Sequence, residues 1–440
     1  MGRFTLAALL CAGFCFPAWA QAPVTLSADQ RAVTVAAVIA QLKETYVFPD
    51  KVPALVAALE KAKAAGRYDV DNPTTLAARL TDDMHDAAHD HHLYINYDPV
   101  QYEAAKHEGD AGPDVTPDQE AYFRAEAARD NSGLVETRIL PGNIRYLRIS
   151  GFQWVDDETG FAYDAALRFL KGGDAVIIDE RGNGGGDHSA VRYLLSHFMD
   201  SGAPLMTFTA AGLPSQQSYT LDHLAAGRLK GKPLYVLVDN NVGSAAEEFA
   251  YSVQQFHLGQ VVGARTVGAA NNNRIFPIAP GFMLSVSFGR PEHPVSHGNW
   301  EGTGVVPDVA VADWGQTLDM AQSLALTQLL KASDIAPQTR ADGEWAQVPV
   351  EARLHPPAAI APTRLKGWAG HYGDRTEVGF RDGILWYQPA PDAPPRRLTL
   401  LSTDGLFAIE GNDKVRARFT TAGLETYMRG NPTPRVQARR

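Results

Sequence analysis

The stretch LYVLVDNNVGSAAEEFAY, running from Leu234 to Tyr251, decides how the rest of the chain is read. Its first five residues are apolar and large or β-branched, the composition of a strand buried on both faces. Asp239, Asn240 and Asn241 end that strand, and Gly243 opens backbone conformations closed to other residues. From Ser244 onward the sequence reads as a helix with Glu247 and Glu248 in its first turn, where the macrodipole favours acids. A serine at the head of such a helix lies beside exposed backbone N–H groups, a geometry that can hold a nucleophile and an oxyanion together. It is also the position of an ordinary N-cap, so the surrounding sequence has to separate the two readings.

Around this stretch, residues 133–332 alternate strand and helix. Strands are expected at Ile144 to Ile149, Ala175 to Asp179 and from Gln260, and helices at Phe161 to Leu170 and His188 to Met199. Such alternation argues for an α/β layer with a largely parallel sheet. Residues 21–98 read as a helical region. Apolar residues recur at helical spacing over Leu26 to Tyr46, Pro53 to Ala65 and Thr74 to Ala88, before a strand-like run from His92 to Tyr97. Residues 99–132 are polar, acidic and broken by Gly and Pro; they read as a connection or lid with one helix at Asp118 to Arg129. Residues 333–363 are rich in Pro and Ala and read as a linker, and residues 364–440 as a small antiparallel β domain.

The chain has 440 residues, enough for two or three domains and a large core, and a formal net charge of −10. That balance argues against nucleic acid or an anionic membrane surface as the main partner. Residues 1–20 combine Arg3, an apolar run from Phe4 to Phe16 and the small-x-small ending Ala18-Trp19-Ala20, the pattern of a secretory signal peptide cut after Ala20. Both cysteines, Cys11 and Cys15, fall inside it, so no disulfide, thiolate nucleophile or cysteine metal site is expected downstream. Export without disulfides suits a periplasmic or secreted protein, and no later apolar run is long enough to span a bilayer.

Several features invite chemistry. The glycines of Gly182 to Gly186 follow a buried strand, but their spacing is not that of a dinucleotide fingerprint. Such a turn can aim backbone N–H groups at a substrate oxygen, or can simply turn. His85 and His89 are four apart, as metal ligands on one helix face would be. Asp86, however, stands where a zinc peptidase motif has glutamate, and no third ligand is evident, so a solvated helix end is the expectation. His92, at the junction of helix and strand, reads either as a structural histidine or as a general base. Glu301 lies in a Gly-rich loop, where an acid is usually solvated; behind a catalytic histidine it would orient and stabilise the imidazole.

Taken together, four segments resemble the C-terminal-processing (tail-specific) serine peptidases, and most closely the branch that includes the tricorn core and the interphotoreceptor retinoid-binding protein repeats. DERGNGGG from Asp179 to Gly186 resembles the family's D-x-R-x-N-x-G-G turn, and NVGSAAE from Asn241 to Glu247 its nucleophile turn. GARTVG from Gly263 to Gly268 is similar to its G-x-x-T-x-G element, and EGTGVVPD from Glu301 to Asp308 to its E-G-x-G-V-x-P-D element. The resemblance implies a ClpP/crotonase-like spiral ββα core with a helical N-terminal domain, the small β domain lying outside it. It implies Ser244 as nucleophile, with an oxyanion hole from the N–H groups of Ala245 and a glycine, Gly185 by preference or Gly186. One branch takes its base from a lysine after the T-x-G loop; that position is Ala269 here, and residues 265–274 hold no lysine. The other branch uses a histidine with a glutamate behind it, which His92 and Glu301 match, with His91 as a polar helper.

The expectation is therefore an exported serine peptidase with a Ser244–His92–Glu301 site, acting on peptides or partly unfolded proteins without metal or cofactor. The alternative is a non-catalytic binding protein for apolar ligands or protein partners on the same scaffold; an esterase is a third reading. No peptide-binding insert fits between Asp98 and Leu140, so recognition of a free substrate C-terminus is not implied.

Overall fold

The computed structural model describes residues 24–108, 117–155, 157–210 and 213–440. The signal-peptide reading of residues 1–20 lies outside them. In chain order the elements are α1 (Ala28–Thr45), α2 (Val52–Ala64), α3 (Pro73–Ala88), β1 (Tyr94–Tyr97), α4 (Pro99–Glu108), α5 (Pro117–Arg129), β2 (Leu134–Leu140), β3 (Ile144–Ile149), α6 (Asp157–Lys171), β4 (Ala175–Asp179), α7 (His188–Ser196), β5 (Pro204–Ala210) and β6 (Gln216–Tyr219). They continue with β7 (Leu234–Val238), α8 (Ala245–Gln255), β8 (Gln260–Gly263), β9 (Asn272–Ile278), β10 (Phe282–Glu292), β11 (Val309–Ala310), α9 (Thr317–Lys331), α10 (Pro337–Leu354) and α11 (Pro362–Trp368). Eight strands follow, β12 (Gly370–Tyr372), β13 (Thr376–Arg381), β14 (Ile384–Gln388), β15 (Arg396–Ser402), β16 (Leu406–Ile409), β17 (Asn412–Thr420), β18 (Gly423–Met428) and β19 (Asn431–Gln437).

A six-stranded sheet of order β11-β8-β7-β4-β3-β2 forms the centre, parallel except where β2 meets β3. Side chains on a strand alternate faces, and β4 uses both. Val176 and Ile178 join a core with α6, α7 and α8, whereas Ala175 and Ile177 join a second core with α9 and α10. Two covered faces explain why β7, and β4 as far as Ile178, are apolar without interruption. The C-terminal ends of β4, β7 and β8 are adjacent, and the loops that leave them carry the Asp179, Ser244 and Thr266 segments. Ligand sites of parallel α/β sheets lie at that edge.

A second sheet, β1-β10-β5-β6 with β9 also on β10, brings the N-terminal region to the same place. Helices α1 to α3 do not close a core of their own; they pack on Ile278, Phe282, Leu284 and Val286 of β9 and β10. Strand β1 pairs with β10, Tyr94 opposite Ser285, which delivers His92 from the N-terminal region to the core. The C-terminal strands β12 to β19 form an antiparallel eight-stranded sheet in sequence order, with its own apolar cluster.

The α/β core, the helical N-terminal region and the antiparallel C-terminal sheet are as the sequence led us to expect, with two departures. Residues 99–132 carry two helices, α4 and α5, rather than one. The linker expected over 333–363 is mostly the helix α10, packed on α9. Proline at its first turn starts this helix, and Ala346, Val350 and Leu354 make a buried stripe that the high Pro and Ala content hid. Val350→Asp tests this placement, because an unpaired carboxylate in an apolar core costs on the order of 3 kcal/mol. The urea midpoint should fall by that equivalent at an unchanged slope; in a solvated linker it would not move.

Candidate active site

Strand β7 ends at Val238, and Asp239 accepts hydrogen bonds from Asn241 N–H (2.9 Å) and Gly182 N–H (3.1 Å). One carboxylate thus joins the turn after β7 to the turn after β4. Asn183, fully buried, adds to the join: its carbonyl oxygen accepts from Gly243 N–H at 3.0 Å and its Oδ1 from Gly185 N–H at 2.9 Å. Asp179 is held by Tyr146 Oη (2.7 Å) and by a two-pronged Arg181 (2.6 and 2.9 Å). Gly185, at φ +116°, lies so close to the serine turn that a Cβ on it would stand 2.7 Å from Ser244 Cβ and 3.0 Å from Ala245 N. That approach is open to glycine alone.

Ser244 is half-buried and has φ +53° and ψ −122°, a strained conformation for a residue with a side chain. It heads α8, so the Ala245 N–H lies at the positive end of the helix. Glu247, one turn on, is buried and accepts from the N–H groups of Ser244 (3.0 Å), Gly268 (2.6 Å) and Ala269 (2.8 Å) and from Thr266 Oγ1 (2.5 Å). Burial pushes its carboxyl above the ordinary glutamate range, and these donors oppose the rise.

Glu301 holds the next part of the same loop. Its Oε2 accepts from Ala270 N–H (2.6 Å) and Asn271 N–H (2.8 Å), and its Oε1 from His91 N–H (3.1 Å). His92 Nδ1 faces Glu301 Oε2 at 3.7 Å, with both side chains largely buried. Burial alone would push the Glu301 carboxyl up, but the His92 imidazole and the Asn271 and Ala270 N–H groups outweigh it and hold the carboxyl below its usual value. Asp90, also buried, accepts from His92 N–H (2.9 Å) and Asn271 Nδ2 (3.1 Å). Its carboxyl is raised, first by burial and then by the charge of Glu301. The His92 carbonyl accepts from Ser285 Oγ (2.6 Å) of β10.

The structure thus brings Gly185 against Ser244 and Ala245, and His92 against Glu301, with residues 266–271 joining the two groups. No hydrogen bond joins Ser244 Oγ to His92 among the described residues. Gly185 N–H is committed to Asn183, whereas the N–H groups of Gly186 and Ala245 have no acceptor among the described residues. His91 meets Glu301 through its backbone; its ring lies edge-on to His85, 5.3 Å between centroids. His89 caps α3 in a left-handed conformation. Oxygen and nitrogen atoms of Asp90, His92 and Glu301 lie within 4.8 Å of one another, a spacing that could hold a cation. The carboxylates there already accept five backbone or amide N–H donors, a donor set suited to fixing His92.

Sequence reasoning missed the roles of Asp90, Asn271 and Glu247. For Glu247 the signal was present, since S-x-x-E at a helix start is a capping box. It also missed a second row of the same three chemical groups. His188 lies between Glu248 Oε1 (2.7 Å from Nδ1) and Ser218 Oγ (2.8 Å from Nε2), with Phe208 against its ring. Residues from α7, α8 and β6 make this row, and no sequence spacing announces it.

A serine at a strained strand-to-helix turn, set over the C-terminal edge of a parallel sheet with a glycine turn laid against it, is a layout in which an α/β protein can expose a nucleophile. Comparison with known proteins gives the family. The model for peptidase family S41 matches residues 143–311, and the model for the N-terminal domain of peptidase S41 in eukaryotic IRBP matches residues 18–127. The chain belongs to peptidase family S41. Similar curated proteins include the carboxy-terminal processing protease CtpB of Bacillus subtilis, 26% identical over 192 residues, which are 43% of this chain and 38% of that one. Another is the carboxyl-terminal-processing protease of Synechocystis, 28% identical over 177 residues, 39% of either chain. The match therefore spans about two fifths of these relatives. Among solved structures, mature CPAF aligns at 13% identity and a TM-score of 0.47, covering 70% of this chain and 99% of that one.

The low Glu301 value has a consequence for stability. A carboxyl whose folded pKa lies below its unfolded one contributes stability above the unfolded value, near pH 4.3, and loses it as pH falls through the folded value. Urea unfolding at stepped pH should therefore show Glu301→Gln less stable than wild type at pH 7, with the gap closing below about pH 4. A gap that stays constant from pH 7 to pH 3 would contradict the assignment.

Proposed function

We propose that the protein is an exported serine peptidase that cleaves peptides or partly unfolded proteins through an acyl-enzyme, with Ser244 as nucleophile, His92 as base and Glu301 as the acid behind it. One observation carries this reading: the short loop 266–271 is bonded to the carboxylate that also takes the Ser244 N–H and to the carboxylate that faces His92. In the proposed reaction substrate binding closes the gap between Ser244 and His92, as catalytic hydrogen bonds of unliganded sites commonly tighten on binding. His92 takes the serine proton and Ser244 Oγ attacks the peptide carbonyl. Ala245 N–H and a glycine N–H hold the oxyanion; Gly186 is the uncommitted donor and Gly185 serves only on release from Asn183. His92 then protonates the leaving amine, and water resolves the acyl-enzyme. Glu301, kept ionised, stabilises the imidazolium. Export rests on the leader-like composition of residues 1–20. Among the described residues no helix is long and apolar enough to cross a membrane.

The Ser218–His188–Glu248 row supports a second reading, in which Ser218 is the activated hydroxyl. Ser218 lies in β6, paired with β5, whereas Ser244 heads a helix with an open N–H beside it, which favours Ser244. Fluorophosphonate labelling read by intact mass decides between them. Wild type should take one adduct, Ser244→Ala none, and Ser218→Ala one at the wild-type rate. His92→Ala should label about 10²–10⁴-fold more slowly. An adduct that survives in Ser244→Ala and disappears in Ser218→Ala would move the nucleophile. No adduct on folded wild type would favour the binding protein, and turnover of esters but not peptides the esterase.

A further inference from the structure

Away from these residues, a cavity of about 550 Å³ lies where the β2–β3 turn, helix α10 and strands β16 and β17 meet. Its size is in the ordinary range of small-ligand sites. None of its lining residues belongs to the candidate active site, and it joins the core to the C-terminal sheet. Leu140, Ala346, Ile409 and Val415 give it an apolar wall. Its deeply buried charge is Arg416, 6% exposed, in β17 between Ala408 and Tyr427 of the neighbouring strands.

The Arg416 guanidinium lies over the Trp345 ring, with Cζ 3.8 Å from the centroid, and one Nη donates to the Trp345 carbonyl oxygen. That uses one of five N–H donors. Among the described residues no carboxylate lies within ion-pair distance of Arg416. The acids of the cavity are otherwise engaged or solvated: Asp342 faces Arg429 at 3.5 Å, Asp174 accepts from Asn143 Nδ2 at 3.0 Å, and Asp413 is exposed. Burial pulls the proton affinity of Arg416 down to about 10, and no neighbouring acid opposes it. A buried cation without a counterion is costly, and here the space beside it is open to one.

We propose that this cavity binds a monocarboxylate with an apolar body, its carboxylate on Arg416 and its body against Leu140, Ala346, Ile409 and Val415. A guanidinium edge matches a carboxylate with two parallel hydrogen bonds. A single charge is called for, because Arg416 is the one cation there without an acidic partner among the described residues and Asp174, Asp342 and Asp413 would repel a doubly charged phosphate. The carboxylate can come from a small free acid or from the end of a peptide.

Calorimetric titration of the full chain with octanoate, with acetyl-Ala-Leu-Ala and with its C-terminal amide separates the two sources. Octanoate or the free-acid peptide should bind at one site per chain, and the amide should not. Arg416→Met should weaken binding by about tenfold or more, as should Thr339→Trp, which fills the hollow from α10 and carries the test if the first variant fails to fold. Ser244→Ala should bind as wild type does, which keeps the outcome separate from the proposed catalysis. Absence of binding by either carboxylate to folded wild type would overturn the proposal. So would equal affinity in Arg416→Met, or equal binding of acid and amide.

Discussion

Two buried carboxylates hold one loop, and the arrangement of the candidate site depends on them. The N–H groups of Gly268 and Ala269 point to Glu247, and those of Ala270 and Asn271 to Glu301. Four successive peptide N–H groups are thereby satisfied by charged acceptors, the stronger kind of hydrogen bond. Leaving any of them buried and unpaired would cost about 1–3 kcal/mol. Each carboxylate has a second task. Glu247 fixes the backbone at Ser244, and Glu301 faces His92. The Trp300 indole adds a bond to the Ala269 carbonyl from the opposite side, so the loop is held through both of its polar faces.

The central sheet determines where that loop can be. Strands β4, β7 and β8 run parallel side by side, so their C-terminal ends form one edge from which the three turns of the candidate site leave. Their apolar side chains are divided between two cores, leaving little room for polar groups except at this edge. Polar residues that do penetrate, such as Asn183 and Asp239, spend their hydrogen-bonding capacity on joining adjacent turns. The strain at Ser244 is supported in this way from three directions.

Much of this was legible in the sequence because the relevant signals are local. Uninterrupted apolar runs gave β4 and β7, the Asp-Asn-Asn-x-Gly break gave the turn before Ser244, and helical periodicity gave α1 to α3 to within a residue or two. What was not legible depends on distant partners. The role of Asp90 exists only because Asn271, 181 positions away, and the His92 backbone converge on it. His188 looks like any helix-start histidine until Ser218 and Glu248 arrive from a strand and another helix. The commitment of Gly185 N–H to Asn183 distinguishes two glycines that motif matching treats alike. Helix α10 was obscured for a different reason: composition spoke for a linker while its buried stripe spoke for a helix, and the stripe decides because it has α9 to pack on.

The attachment of β1 to β10 also bears on the order in which the molecule comes together. The Ser285 hydroxyl that fixes the His92 carbonyl is 193 positions from it, and the His91 N–H bonded to Glu301 is 210 positions from its acceptor. Contacts of such separation are slow to form, since the intervening chain must first surrender its freedom. A chain emerging from the ribosome completes its N-terminal helices long before Glu301 is synthesised. The histidine–glutamate pair therefore cannot exist on a chain that stops short of Glu301, and β10, made only a few residues earlier, is the strand that ties the histidine segment to the core.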